Sequence, residues 1–136
     1  MGGLVYLVDT NVWLEMLLEQ EKAEEVRRFF AGTDSDQLAI SDFSLYSIAI
    51  ILTRMKKDEV FRDFLLDVVE ESAMVVIRLD PTGLHQILDV RRSRRLDFDD
   101  AYQYVAAERG DLTLISFDSD FDSTPIGRKT PGGIVP

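Results

Sequence analysis

The sequence predicts an α/β fold: a three-layer α/β/α sandwich around a short central parallel sheet, built as a single domain over residues 1–136. Short apolar runs alternate with longer stretches that have helical spacing, which is the pattern of strands joined by crossover helices. The hydrophobic share of 46% is enough for a real core in 136 residues. We find neither an internal repeat nor a linker-like segment.

Four short apolar runs predict the strands, because each is brief, continuous and rich in branched residues. They occupy residues 4–8, 38–40, 74–77 (with Leu79) and 112–115. Helical spacing predicts helices beginning near Val12, over 23–30, from Ser41 and Asp42 to Met55, and over 58–71, 82–93 and 99–109. The tail is rich in Gly and Pro, which predicts turns and one edge strand near Ile134 and Val135.

The composition limits the chemistry that the chain can support. It has no Cys and a single His, His85, which excludes thiolate sites and zinc sites built on several histidines. Oxygen ligands and a hard cation remain as the metal option.

The net charge of −10 argues against a general binder of polyanions. However, residues 91–95 hold four arginines, and Arg94 and Arg95 are candidates for holding a nucleic-acid backbone. The alternative is a solvated helix end, where cations also suit the helix dipole.

The N-terminus lacks the basic lead and long apolar core of a signal peptide, and no apolar stretch has membrane-spanning length. We therefore expect a cytoplasmic protein without membrane partners.

Aspartates stand where the predicted elements begin or end. Asp9 follows the first strand, Asp100 begins a helix, and Asp118 and Asp120 follow the last strand. Carboxyl ends of parallel strands share one edge of the sheet, where open α/β folds place their sites. Carboxylates gathered there repel one another unless a cation neutralises them, and oxygen ligands suit Mg²⁺ or Mn²⁺.

Each aspartate also has a local alternative. Asp9 could cap the first helix, although Thr10 and Asn11 already supply caps. Asp100 could simply favour the positive end of a helix dipole, and Asp118 and Asp120 could form Asx turns.

These motifs together resemble the PIN domains, a family that includes the ribonuclease toxins of VapBC-type modules. The resemblance covers nearly the whole chain. It rests on residues 8–13 at the start, 40–52 in the centre, and 96–101 and 114–121 near the end.

By this resemblance, Asp9, Asp100 and Asp118 match acids that bind a divalent metal. Ser116 matches a residue that supports the site, and Asn11 is a polar neighbour of the first acid. Ser47 stands where the family usually has a Glu in the central helix. The candidates for rebuilding the site are Asp97, Asp99 and Asp120.

The resemblance implies an Mg²⁺- or Mn²⁺-dependent endoribonuclease that cleaves single-stranded RNA. It also implies a homodimer and, for a toxin, a small antitoxin protein as partner. One alternative is a PIN-like domain that binds RNA or a protein, its chemistry lost with the missing Glu. Another is a phospho-acceptor signalling domain, which needs an acid pair after the first strand, whereas Thr10 and Asn11 follow Asp9.

Overall fold

A parallel four-stranded sheet lies at the centre of residues 3–134, the part of the chain that the computed structural model describes. The strands are β1 (Tyr6–Val8), β2 (Leu38–Ser41), β3 (Val75–Ile77) and β4 (Thr113–Ile115). Their order in the sheet is β3-β2-β1-β4, so the first strand pairs with the last.

The register of the sheet decides which residues meet at its carboxyl edge. Tyr6 pairs with Leu38 on one side and with Thr113 on the other, both in parallel. Because Val8 in turn pairs with Ile115, the residues that follow these strands, Asp9 and Ser116, leave the sheet side by side.

Among the residues that the structure describes, six α-helices cover the two faces of the sheet. They are α1 (Thr10–Leu17), α2 (Ala23–Ala31), α3 (Asp42–Arg54), α4 (Asp58–Phe64), α5 (Pro81–Arg94) and α6 (Phe98–Gly110). Leu7 and Leu114 pack against α5 and α6, while Val8 and Ile115 pack against α1 to α3. This alternation along each strand produces two cores and confirms the predicted three-layer sandwich. No helix within residues 3–134 is long and apolar enough to cross a membrane.

The helix predicted over 58–71 is divided in the structure. Helix α4 ends at Phe64, and Leu65–Glu70 continues as a π-helix whose last turn includes a bond from the Glu71 N–H to the Leu66 carbonyl. The spacing of apolar residues is compatible with either hydrogen-bond pattern, so the sequence did not distinguish them.

The tail adds to the sheet at a different place from the one predicted. Ile134 follows a 3₁₀ turn at Pro131–Gly133, and Val135 lies outside the described residues. Lys129 instead forms a parallel bridge with Ile115, through bonds from its own N–H to Leu114 and from the Ser116 N–H to its carbonyl.

Candidate functional site

An acidic cleft opens at the carboxyl edge of the sheet, between α1, α3 and α6. Asp9, Asp99, Asp100 and Asp118 all contribute to its lining, and so does Ser47 of α3. The three aspartates that the sequence assigned to one site thus lie around one cleft, although they come from three separate parts of the chain.

Asp9 is the most deeply buried of these acids, at 5% exposure, and its carboxylate is held by the protein. Oδ1 accepts from the Thr10 N–H at 2.8 Å and from Gln103 Nε2 at 2.9 Å. Oδ2 accepts from Ser116 Oγ at 2.7 Å and makes a longer contact of 3.4 Å with Asn11 Nδ2. Four donors therefore fix the orientation of this carboxylate.

Ser116 connects Asp9 to Asp118. Its buried hydroxyl donates to Asp9 and accepts from the backbone N–H of Asp118 at 2.9 Å. Asn11 supports the same turn, because its Oδ1 accepts from the Phe117 N–H at 3.1 Å. Ser116 and Asn11 therefore hold the turn that carries Asp118.

Gln103 was not identified from the sequence, although it contacts Asp9 directly. It lies on α6 and is 1% exposed, within a stretch from Ala101 to Ala107 that is otherwise apolar and buried. A single amide in such a stretch is the signal that was available, because a buried polar group needs hydrogen-bond partners.

Three carboxylates come close enough to share a cation. Asp100, Asp118 and Asp120 each offer an oxygen, and these oxygens all lie within 4.8 Å of one another. Asp9 lies deeper, behind Asp118, and is linked to it through Ser116. The donor set fits a hard divalent cation, because carboxylate oxygens are the ligands that Mg²⁺ and Mn²⁺ favour.

Burial and mutual repulsion raise the pKa values in the cleft. Partial burial, followed by the negative charges of Asp118 and Asp99, raises the pKa of Asp100 from 3.8 to about 8. Burial also raises the pKa of Asp9, against the opposing hydrogen bonds from Ser116, Gln103 and Thr10. Without a cation, the folded protein therefore binds protons here at pH values where free aspartate would not.

The local roles of these aspartates coexist with their position in the cleft. Asp9 is the N-cap of α1, although the sequence favoured Thr10 and Asn11 for that purpose. Asp118 accepts from the Asp120 N–H at 2.9 Å, as in an Asx turn, and Asp100 lies in the first turn of α6. Capping and turn formation bring these carboxylates to the strand ends, so the alternatives do not exclude a shared site.

The positions considered for a further metal-binding acid differ in whether they line the cleft. Ser47 lines the cleft, so α3 presents this position to it. Asp99 also lines the cleft, whereas the exposed Asp97 precedes α6 as its N-cap residue. Asp42 is the acidic residue of α3 nearest to Ser47 in sequence, but it accepts from the Tyr102 hydroxyl at 2.5 Å.

The arginine run lies at the end of α5, with Arg94 in the last turn and Arg95 just beyond it, both exposed. A cation outside this run contacts the site directly: Arg128 donates to the Ser116 carbonyl at 3.2 Å and pairs with Asp122. Lys22 lies 4.6 Å from the centre of the Phe117 ring, beside Asp118. Neither was found from the sequence, since their approach depends on how distant loops fold back.

The fold and the acidic cleft together define the class of protein. Residues 6–127 match the PIN domain model, and the chain belongs to the PIN domain family. No curated protein matches it by sequence.

Solved structures share the fold at low sequence identity. FitAB bound to an IR36 DNA fragment has a TM-score of 0.82 at 16% identity, covering 94% of this chain and 96% of the other. A toxin–antitoxin complex from Klebsiella pneumoniae has 0.74 at 21%, covering 93% and 97%. The sarcin–ricin loop cleaving toxin VapC20 of Mycobacterium tuberculosis has 0.75 at 18%, covering 88% and 95%.

Proposed function

We propose that this protein is a metal-dependent endoribonuclease that hydrolyses phosphodiester bonds in single-stranded RNA. The observation that carries the proposal is the convergence of Asp100, Asp118 and Asp120 within 4.8 Å, next to the buried Asp9. Mutual repulsion within such a cluster destabilises the folded protein unless a cation compensates the negative charge. In a nuclease of the PIN domain family, that cation would take part in phosphodiester hydrolysis.

Asp100 and Asp118 would hold Mg²⁺ or Mn²⁺, with Asp9 contributing through Oδ2 and Asp120 from the rim. When bound, such a cation lowers the pKa of a coordinated water and stabilises the charge on the scissile phosphate. The protein's own part is positional. Ser116 and Asn11 fix the turn that carries Asp118, and partial burial of Asp100 limits competition from bulk water.

Cleavage of labelled single-stranded RNA, with Mn²⁺ and with excess chelator, tests the proposal. The wild type should cleave only with the metal, and Asp118→Asn should lose at least a hundredfold in rate. Asp111→Asn is the matched control. Asp111 is exposed, caps the far end of α6 and has a positive φ of 53° that Asn also adopts. Cleavage that survives the chelator, or that Asp118→Asn retains in full, would contradict the proposal.

The toxin role and its partners belong to the same proposal. Structures similar to this one include a toxin–antitoxin complex and a sarcin–ricin loop cleaving toxin, which supports a toxin with a small antitoxin partner. We place this toxin in the cytoplasm. A homodimer is supported by pairs of exposed apolar side chains, Tyr46 with Ile50 on α3 and Leu84 with Leu88 on α5. Light scattering on the purified chain should give twice the 15.5 kDa monomer mass, and a monomer would remove the dimer from the proposal.

A second candidate is a catalytically weakened PIN domain that binds RNA or a protein. One observation favours it: the Ser47 hydroxyl lines the cleft at the position where the family resemblance leads us to expect a carboxylate. This candidate predicts RNA binding without cleavage at any Mn²⁺ concentration, so the same cleavage experiment distinguishes the two.

A further inference from the structure

Gln103 joins three parts of the chain through one buried amide. Nε2 donates to Asp9 Oδ1 at 2.9 Å and to Ser44 Oγ at 2.8 Å, while Oε1 accepts from Ser41 Oγ at 2.6 Å. Ser44 Oγ also lies 2.7 Å from Thr10 Oγ1. The amide therefore connects the end of β1, the start of α3 and the middle of α6.

The orientation of this amide is determined by its partners. Asp9 accepts hydrogen bonds when ionised, so the amide nitrogen must face it. Ser41 Oγ accepts from the Ser44 N–H at 3.0 Å, and its own proton is free to bond to Oε1 of Gln103. If the amide were flipped, Oε1 would face the Asp9 carboxylate, and two acceptors would meet without a proton between them. The side chain thus has one favourable orientation.

The hydrogen bonds also limit how Asp9 can meet a cation. Oδ1 already has two strong donors, the Thr10 N–H and Gln103 Nε2, which use both of its lone pairs. Oδ2 has one strong donor, Ser116, and only the long 3.4 Å contact with Asn11. Of the two oxygens, Oδ2 is the one with a lone pair free for a cation.

We propose that Gln103 is a positioning residue: it occupies Oδ1 of Asp9 and directs Oδ2 towards the cation site beside Asp118. The inference rests on the proposed function, since it assumes that the cleft binds a divalent cation. Partners that orient a ligand in this way commonly change metal affinity by about 10–100-fold when they are removed.

Replacing the amide without changing its size tests this role. Gln103→Met keeps an unbranched side chain of similar length but has no donor for Asp9. Val105→Ala is the matched control, because Val105 is a fully buried residue of α6 that belongs to the apolar core. Both variants should lower the melting temperature. Titration of each metal-free protein with Mn²⁺ in a calorimeter should show at least a tenfold loss of affinity for Gln103→Met and less than a twofold change for Val105→Ala.

A measurement on the wild type tests the same role without requiring that any variant folds. The side-chain amide protons of Gln103 should exchange slowly with solvent in NMR spectra of the metal-free protein, because both nitrogen-bound protons have acceptors. Rapid exchange would overturn the inference.

The calorimetric outcomes separate this inference from the proposed function. Equal Mn²⁺ affinities of the wild type and Gln103→Met would overturn the positioning role and leave the nuclease proposal intact. An equal loss in Val105→Ala would also overturn it, since the effect would then come from the packing of α6. A wild type that binds no Mn²⁺ would overturn both.

Discussion

The Ser116 hydroxyl donates to Oδ2 of Asp9 at 2.7 Å, joining residues 107 positions apart in the chain. The contact exists because β1 and β4 are neighbouring parallel strands, with Val8 paired to Ile115. The first and last parts of the chain thus supply neighbouring groups of the acidic cleft. Substitutions in the cleft are therefore expected to change cation binding and folding stability together.

Asp100→Asn should raise the melting temperature of the metal-free protein, by a few degrees near pH 8. The pKa of Asp100 is raised from 3.8 to about 8 in the folded state, so the folded state binds its proton more tightly than the unfolded state. This group's contribution to stability is present below pH 3.8 and is lost as the pH rises to about 8. The advantage of Asp100→Asn should therefore grow across that window, as measured by thermal melts in chelator.

The same variant should reduce the stabilisation that Mn²⁺ gives. A bound cation stabilises the folded state by an amount that rises with the logarithm of its affinity, and Asp100→Asn removes one charged ligand. If both proteins gained the same number of degrees from Mn²⁺, Asp100 would not be a ligand.

Ser47→Glu should tighten Mn²⁺ binding by about tenfold, because it adds a carboxylate at a position that lines the cleft. In chelator the same change should lower the melting temperature, since the new charge repels Asp9 and Asp118. Ser93→Glu, at an exposed position on α5, adds the same charge elsewhere and should leave the affinity unchanged. A lower melting temperature without tighter binding would mean that position 47 is not the missing acid.

Asp120→Asn should weaken Mn²⁺ binding by about tenfold, because an Asp120 oxygen lies within 4.8 Å of those of Asp100 and Asp118. Asp97→Asn is the comparison. Asp97 was also a candidate for rebuilding the site by sequence, but it is an exposed residue that precedes α6 and does not belong to the group of three. Calorimetric titration of both variants should show a loss of Mn²⁺ affinity for Asp120→Asn alone. A loss for Asp97→Asn alone would contradict the prediction and make Asp97 the ligand.

Arg95→Gly should separate stability from RNA binding. Arg95 has a positive φ of 57°, which Gly adopts without strain, so the change should stabilise the fold by about 1 kcal/mol. Losing one phosphate contact should reduce the slope of log affinity against log salt by about 0.7 for single-stranded RNA. Lys56→Gly is a close control, since Lys56 is also an exposed cation with φ 58°. It should gain similar stability and keep the wild-type salt slope.

The sequence predicted those parts of the fold and cleft that follow from local pattern. Buried apolar runs indicated the four strands. Parallel strands have their carboxyl ends at one edge, which brought Asp9 and Asp118 to the same place without any knowledge of their contacts. Ser47 became a candidate only through the resemblance to the PIN domain family.

The remaining features depend on contacts that local pattern does not encode. Gln103 is defined by its partners on β1 and α3, and Arg128 reaches Ser116 because the tail folds back across β4. The π-helix at Leu65–Glu70 packs Val68 and Val69 against the core, and apolar residues at that spacing are also compatible with an α-helix, so spacing could not reveal it. Gln103 and Arg128 thus depend on partners in other parts of the chain. The π-helix differs from an α-helix in its hydrogen bonds, which the hydrophobic pattern does not report.

The strand order has a consequence for the order of events during synthesis. Chains emerge N-terminus first, yet β1 lacks one of its two neighbours until β4 has been made. Pairing between such distant segments is also slow, because a long loop must close before any contact forms. A nascent chain that ends between Asp100 and Thr113 therefore contains Asp9 and Asp100 but neither Ser116 nor Asp118. The acidic cleft therefore cannot be complete before the segment from Thr113 to Asp118 has been synthesised, and fragments from translation interrupted earlier lack that side of the cleft.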